Sequence, residues 1–186
     1  LDALIIEEQD VIDKLRNLAA YHVLYSKINY VVRSGGFVRN EEDRKLVEEI
    51  ANHPLVKGKN TALSNRAASI CYYTQGFCHM ANGDYPEALI KFNRIKEILD
   101  GKSHIRKDLA KRYVRTLTNI MNCHIDLGNP IEAHKVLIEL RALVPQPGFK
   151  SMDVAMAIFK NAYLAELRIC HMTGKFEEGL KVVDEI

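Results

Sequence analysis

The sequence predicts an all-α chain of antiparallel helical hairpins, on three observations. No stretch alternates polar and apolar residues between hairpin turns, as strands do. Apolar residues recur at helical spacing from one end to the other. A helix, a glycine turn and a second helix follow one another three times, with turn glycines Gly83, Gly128 and Gly174 spaced 45 and 46 residues apart. A near-constant period marks a stacked repeat, because one hairpin cannot bury its apolar face alone.

The elements follow in order. Residues 1 to about 34 hold no glycine or proline, and Leu4, Ile5, Val11, Ile12, Leu15, Leu18, Val23, Ile28, Val31 and Val32 recur at helical spacing. Gly35-Gly36 is read as the stop. Asn40 before Glu41, Glu42 and Asp43 reads as a cap with acids at the positive helix end, and that helix runs to about Asn52. His53-Pro54 ends it, and Lys57-Gly58-Lys59 is read as loop. Helices are then expected over roughly 61–82, from a box of Asp84 and Glu87 to about Leu99, and from after Asp100-Gly101 to about Leu127. Asn129 with Pro130 opens the next helix, which ends near Val144-Pro145. Ser151 is read as the cap of a further one. Gly174 breaks that helix, and the last begins near Lys175.

The organisation expected is a long helix plus a short one over 1–58, as a degenerate or capping hairpin. Three hairpins then span about 61–100, 102–145 and 151–186 as one array over 61–186. Because the chain opens and closes inside helical patterns, the array is expected to be cut at its C-terminus.

With 47% apolar residues the chain can bury a sizeable core. Its 26 basic and 24 acidic residues nearly balance, so any charge preference must be local. The cysteines Cys71, Cys78, Cys123 and Cys170 lie far apart without a paired motif, which suits reduced thiols. No glycosylation acceptor, secretory leader or membrane-length apolar run is present. A cytoplasmic location is the expectation.

No catalytic pattern stands out. Gly58-Lys59-Asn60-Thr61 lacks the upstream glycine of a phosphate loop. Cys-His occurs as Cys78-His79, Cys123-His124 and Cys170-His171, which invites a metal reading. Equivalent positions on stacked helices lie about 8–10 Å apart, whereas zinc holds its ligands at about 2.0–2.3 Å. Packing at helix interfaces is therefore the preferred reading, with no metal and no cofactor.

The hairpins align further. Ala88, Ala133 and Gly179 stand five residues after the turn glycine, and Phe92, Leu137 and Val183 nine after it. The best copy reads Tyr72, Gln75-Gly76, His79, Gly83-Asp84-Tyr85, Ala88, Phe92. The second reads Leu117, Ile120-Met121, His124, Gly128, Ala133, Leu137, Pro145. The weakest reads Tyr163, Glu166-Leu167, Cys170, Gly174, Phe176, Gly179, Val183. Residues 61–186 thereby resemble the tetratricopeptide repeat family, as a long-helix variant, since the usual unit is about 34 residues. The resemblance implies a right-handed α-solenoid whose first helices line a concave groove that binds a partner peptide or helix. Carried over, the groove positions are Ile70, Tyr73, Phe77 and Met80, then Arg115, Thr118 and Asn122, then Asn161, Leu164, Arg168 and His171.

Spacing supports part of this independently. Lys107, Lys111, Arg115, Thr118 and Asn122 form one polar, basic stripe on a single helix. Arginine can clamp a carboxylate with two parallel bonds, so the stripe suits an acidic or C-terminal carboxylate segment. It equally suits a solvated face partnered by Asp108 and Asp126. Tyr73, Phe77 and Met80 read either as core, covered by the first helix, or as an apolar anchor site. The function expected is a non-enzymatic protein–protein interaction scaffold. The alternative is the peptide-sensing or regulatory domain of a bacterial signalling or transcription regulator. Nucleic-acid binding through the basic run Lys102 to Arg115 is disfavoured by the balanced charge.

Overall fold

The computed structural model describes residues 2–35, 37–58, 61–101 and 109–184, with side chains omitted for 2–4 and 33–35. Among the described residues all regular structure is helical and no strand occurs. Two compact units divide the chain, Leu1–Ile95 and Lys96–Ile186.

In the first unit, α1 runs over Asp2–Gly35, α2 over Glu41–Asn52, α3 over Pro54–Lys57, α4 over Asn65–Ala81, and α5 (Tyr85–Asp100) begins. The apolar stripe of α1 that reaches the core is Tyr21, Leu24, Ile28 and Val31. Ile5, Val11, Ile12, Leu15 and Val23, read as part of the same pattern, are exposed. Among the described residues, those of α1 that are fully buried all lie from Tyr21 onward, on a face that leaves Val23 outside, so helical spacing alone could not tell which turns and which side have something to cover them. Gly35 closes α1 as its last residue, and Gly36 lies outside the described residues.

Asn40 caps α2 as expected, its Oδ1 accepting from the Asp43 N–H at 2.7 Å, with three acids in the first turn. Two details differ from the sequence expectation. Lys57 belongs to the one-turn α3, opened by His53, whose ring accepts from the Leu55 N–H at 3.2 Å. Residues 61–63 are not helical. Asn17 holds them, donating to the Thr61 carbonyl at 3.0 Å and accepting from the Leu63 N–H at 3.0 Å. Ser64 then caps α4 through the Ala67 N–H.

The centre of this unit is aromatic. Tyr73 and Phe77 of α4 meet Phe92 of α5 and Tyr25 of α1, with every centroid separation between 5.8 and 5.9 Å. Such edge-on and offset contacts satisfy the ring quadrupoles as well as burying area. Gly76 makes the α4–α5 approach possible, because a Cβ there would stand 2.7 Å from Phe92 Cε1.

In the second unit, α6 spans Ala110–Asp126, α7 Pro130–Arg141, α8 Met152–Met172 and α9 Phe176–Asp184. Here α6 packs on α7 and α8, α7 on α8, and α8 on α9. Leu117, Met121, Leu137, Leu140 and Phe149 form the core. The last turn of α5 joins through a polar square. The Tyr113 hydroxyl reaches Asp100 Oδ1 at 2.8 Å and Glu139 Oε1 at 3.1 Å, and Lys96 Nζ reaches the same two carboxylates at 2.7 and 3.0 Å. Burial, then the two carboxylates, push the Tyr113 hydroxyl far above its ordinary pKa, so it stays protonated as a donor. Asn129 and Ser151 occupy cap positions without a side-chain cap bond, contrary to expectation. Pro130 supplies the preset first turn instead.

Candidate interaction face

The three glycine turns share one hydrogen-bond pattern. Gly83, Gly128 and Gly174 have φ of 75°, 74° and 72°. Their N–H groups return to Met80, Ile125 and His171, and the next N–H groups return to His79, His124 and Cys170, at 2.8 to 3.3 Å throughout. This is the Schellman closure, which needs a left-handed residue after the helix. The same turn thus follows α4, α6 and α8, the first helix of each hairpin.

On α6 and α8 two long helices are in contact, and Lys111 and Asn122 of the spaced stripe, together with Arg168, bond across them. Lys111 Nζ pairs with Asp153 Oδ2 at 3.1 Å. Arg168 donates through Nη1 to Asn122 Oδ1 at 3.0 Å and through Nη2 to Asp126 Oδ1 at 2.6 Å. Hydrogen bonding from Ser151, then Lys111, holds the Asp153 carboxyl below its usual range. Thr118 and Asn161 turn their side chains back to their own helix, donating to the Val114 carbonyl at 2.9 Å and the Ala157 carbonyl at 2.7 Å. Arg115 is half-buried. Leu164 is exposed at the edge of a hollow of about 560 Å³ lined by Ile125, Asp126, Leu164, Leu167, Arg168, His171 and Met172, so the candidate His171 joins this face.

The other predicted positions stand differently. Lys107 and Asp108 lie outside the described residues. Tyr73 and Phe77, read either as core under the first helix or as an anchor site, are core, buried under Tyr25 of α1, and Ile70 is buried beside Tyr21. They complete a cluster of rings and present no surface to a ligand, because α1 takes the place a ligand would have. Asp153 and the hollow itself were not picked out from sequence, and Asp126, read there as a partner of the basic stripe on its own helix, pairs instead with Arg168 of α8. The signal of both acids was present as a basic residue 42 positions away on the facing helix, but it needed the pairing of helices to be read.

Among the described residues no three His, Cys, Asp or Glu side chains gather as metal ligands do. All four thiols are buried. Burial pushes Cys78 and Cys123 up to about 12, which keeps them protonated and poor nucleophiles. Among the described residues no helix is long and apolar enough to cross a membrane. Comparison of the chain with protein families, curated proteins and solved structures finds no match in any of the three.

Proposed function

We propose that this chain is a tetratricopeptide-like helical-repeat scaffold that binds a partner protein segment along the α6–α8 face and performs no chemistry, acting in the cytoplasm. The observation that carries this reading is the pairing of α6 with α8. It sets Lys111 against Asp153 and Arg168 against Asp126, beside an open apolar hollow. Lys111 and Arg115, one turn apart on α6, and Arg168 on α8 bring basic groups to this face, which favours an acidic or carboxylate-ended segment. The hollow at Leu164 offers such a segment a place for one apolar anchor.

Because Arg168 is already held by Asn122 and Asp126, a ligand carboxylate must displace an internal partner. Selectivity on this face then rests on the apolar anchor together with net charge. The test is fluorescence anisotropy with acidic peptides ending in Leu or Phe, against matched basic peptides. The expected result is selective binding of the acidic set, reduced about tenfold or more by Leu164→Glu and by Arg115→Glu, with unchanged circular dichroism. Equal binding of both sets, or full retention by folded variants, rejects the reading.

A further inference from the structure

The ninth residue after each turn glycine does the same job in two hairpins and not in the third. Phe92 is 0% exposed and Leu137 is 1% exposed, but Val183 is 54% exposed. Leu137 is covered because α7 packs against both α6 and α8. Among the described residues α9 packs principally against α8. Its inner side is spent there, with Val182 buried and the Gly179 Cα facing Cys170 so closely that an added Cβ would lie 3.4 Å from Cys170 Cβ.

The adjoining side of α9 carries Phe176, Leu180 and Val183, spaced i, i+4 and i+7, and all three are exposed. These positions make one apolar stripe. Glu177 and Asp184, seven residues apart, line the margin of that stripe away from α8, and Lys181 stands further round behind them. The stripe is thus an apolar surface with one acidic edge. It repeats a position whose occupant elsewhere in this unit is a long amphipathic helix.

We propose that this face of α9 docks an amphipathic helix of a partner protein, with an apolar stripe flanked on one edge by Lys or Arg. The charge favours this occupant over an antiparallel pair of α9 faces from two copies, because a twofold of that kind lays their acidic edges side by side and like charges there oppose pairing. A basic-edged helix satisfies both the stripe and its margin.

The test uses the full chain and two synthetic helical peptides with the same leucine stripe, one edged with Lys and the other with Glu, each read by fluorescence anisotropy. The Lys-edged peptide is expected to bind about tenfold more tightly than its twin. Leu180→Glu is expected to weaken it about tenfold, and Glu177→Lys combined with Asp184→Lys to reverse the preference. Leu180 and both acids are exposed, so the fold is expected to survive, as circular dichroism checks. Leu164→Glu, on the separate α6–α8 face, is expected to leave this binding unchanged. Equal affinity for both peptides, no binding, or no response to Leu180→Glu overturns the proposal. So does a dimer in sedimentation that Leu180→Glu dissolves, which would assign the face to self-association.

Discussion

Arg168 of α8 is bound to Asp126 of α6, with Nη2 and Oδ1 2.6 Å apart, and its other terminal nitrogen is held by Asn122. The guanidinium that the family resemblance offers to a ligand is therefore part of the joint between two helices. Both side chains of the ion pair keep substantial exposure. Arg168→Ala is expected to lower stability by only about 0.2–1 kcal/mol in urea denaturation. Asp126→Asn is expected to strengthen binding of acidic peptides to the α6–α8 face, because it removes the internal competitor. Weaker binding in Asp126→Asn, at unchanged stability, counts against a carboxylate site at Arg168.

Gly76→Ala should be among the more damaging single changes. The new Cβ meets Phe92 Cε1 at 2.7 Å, inside a ring cluster with Tyr73 and Phe77 that has no room to yield. Overpacking of this kind costs about 1–3 kcal/mol, against the modest gain in helix propensity from Gly to Ala. Chemical denaturation reads the result. A stability equal to the wild type's means the rings shift at no cost.

The turn glycines test conformation without sterics. An added Cβ at Gly128 meets nothing within 4 Å, yet φ is +74°. Gly128→Ala is expected to cost about 1–2 kcal/mol from the left-handed backbone alone. Gly128→Asn is expected to cost less, because Asn tolerates that region. If the two variants are equally stable, strain is not what selects glycine there.

His124 makes stability depend on pH. Burial lowers its pKa from the ordinary 6.5, with Glu132 opposing in part, and its Nδ1 is buried without a hydrogen-bond partner. The unfolded chain therefore takes up a proton at higher pH than the folded chain. This group's penalty is absent well above 6.5, appears as pH falls through that value, and grows until pH passes the lowered folded pKa. His124→Gln is expected to flatten the stability profile between neutral pH and that point. An unchanged slope in the variant assigns the pH dependence to other groups.

The thiols give a readout of opening. Cys78 and Cys123 are buried and held protonated, so a disulfide-exchange reagent is expected to label them only as the chain unfolds, with a denaturant midpoint matching circular dichroism. Rapid labelling under native conditions would reveal local opening of the helix ends that bear them.

Much of the secondary structure was legible because its causes are local. The turn at Gly128 needs one residue tolerant of positive φ, the start of α2 needs Asn40 and its acids, and the face of a helix follows from spacing. These causes act within a few residues and leave marks in the order of amino acids. What tertiary structure alone decided is which marks matter. Tyr73 and Phe77 stand at groove positions by resemblance and fit core or anchor by spacing, and they are core because Tyr25, about fifty residues earlier in the chain, packs over them. Ile5 and Val11 share a helical pattern with Tyr21 and Leu24, and stayed exposed because the part of α1 packed into the core begins only near Leu18. Thr61 and Leu63 lie outside α4 because Asn17 holds their backbone. Asp126 and Asp153 became parts of the α6–α8 face only when those helices paired. Burial and ion pairing depend on which elements meet across long stretches of chain, and no local spacing carries that information.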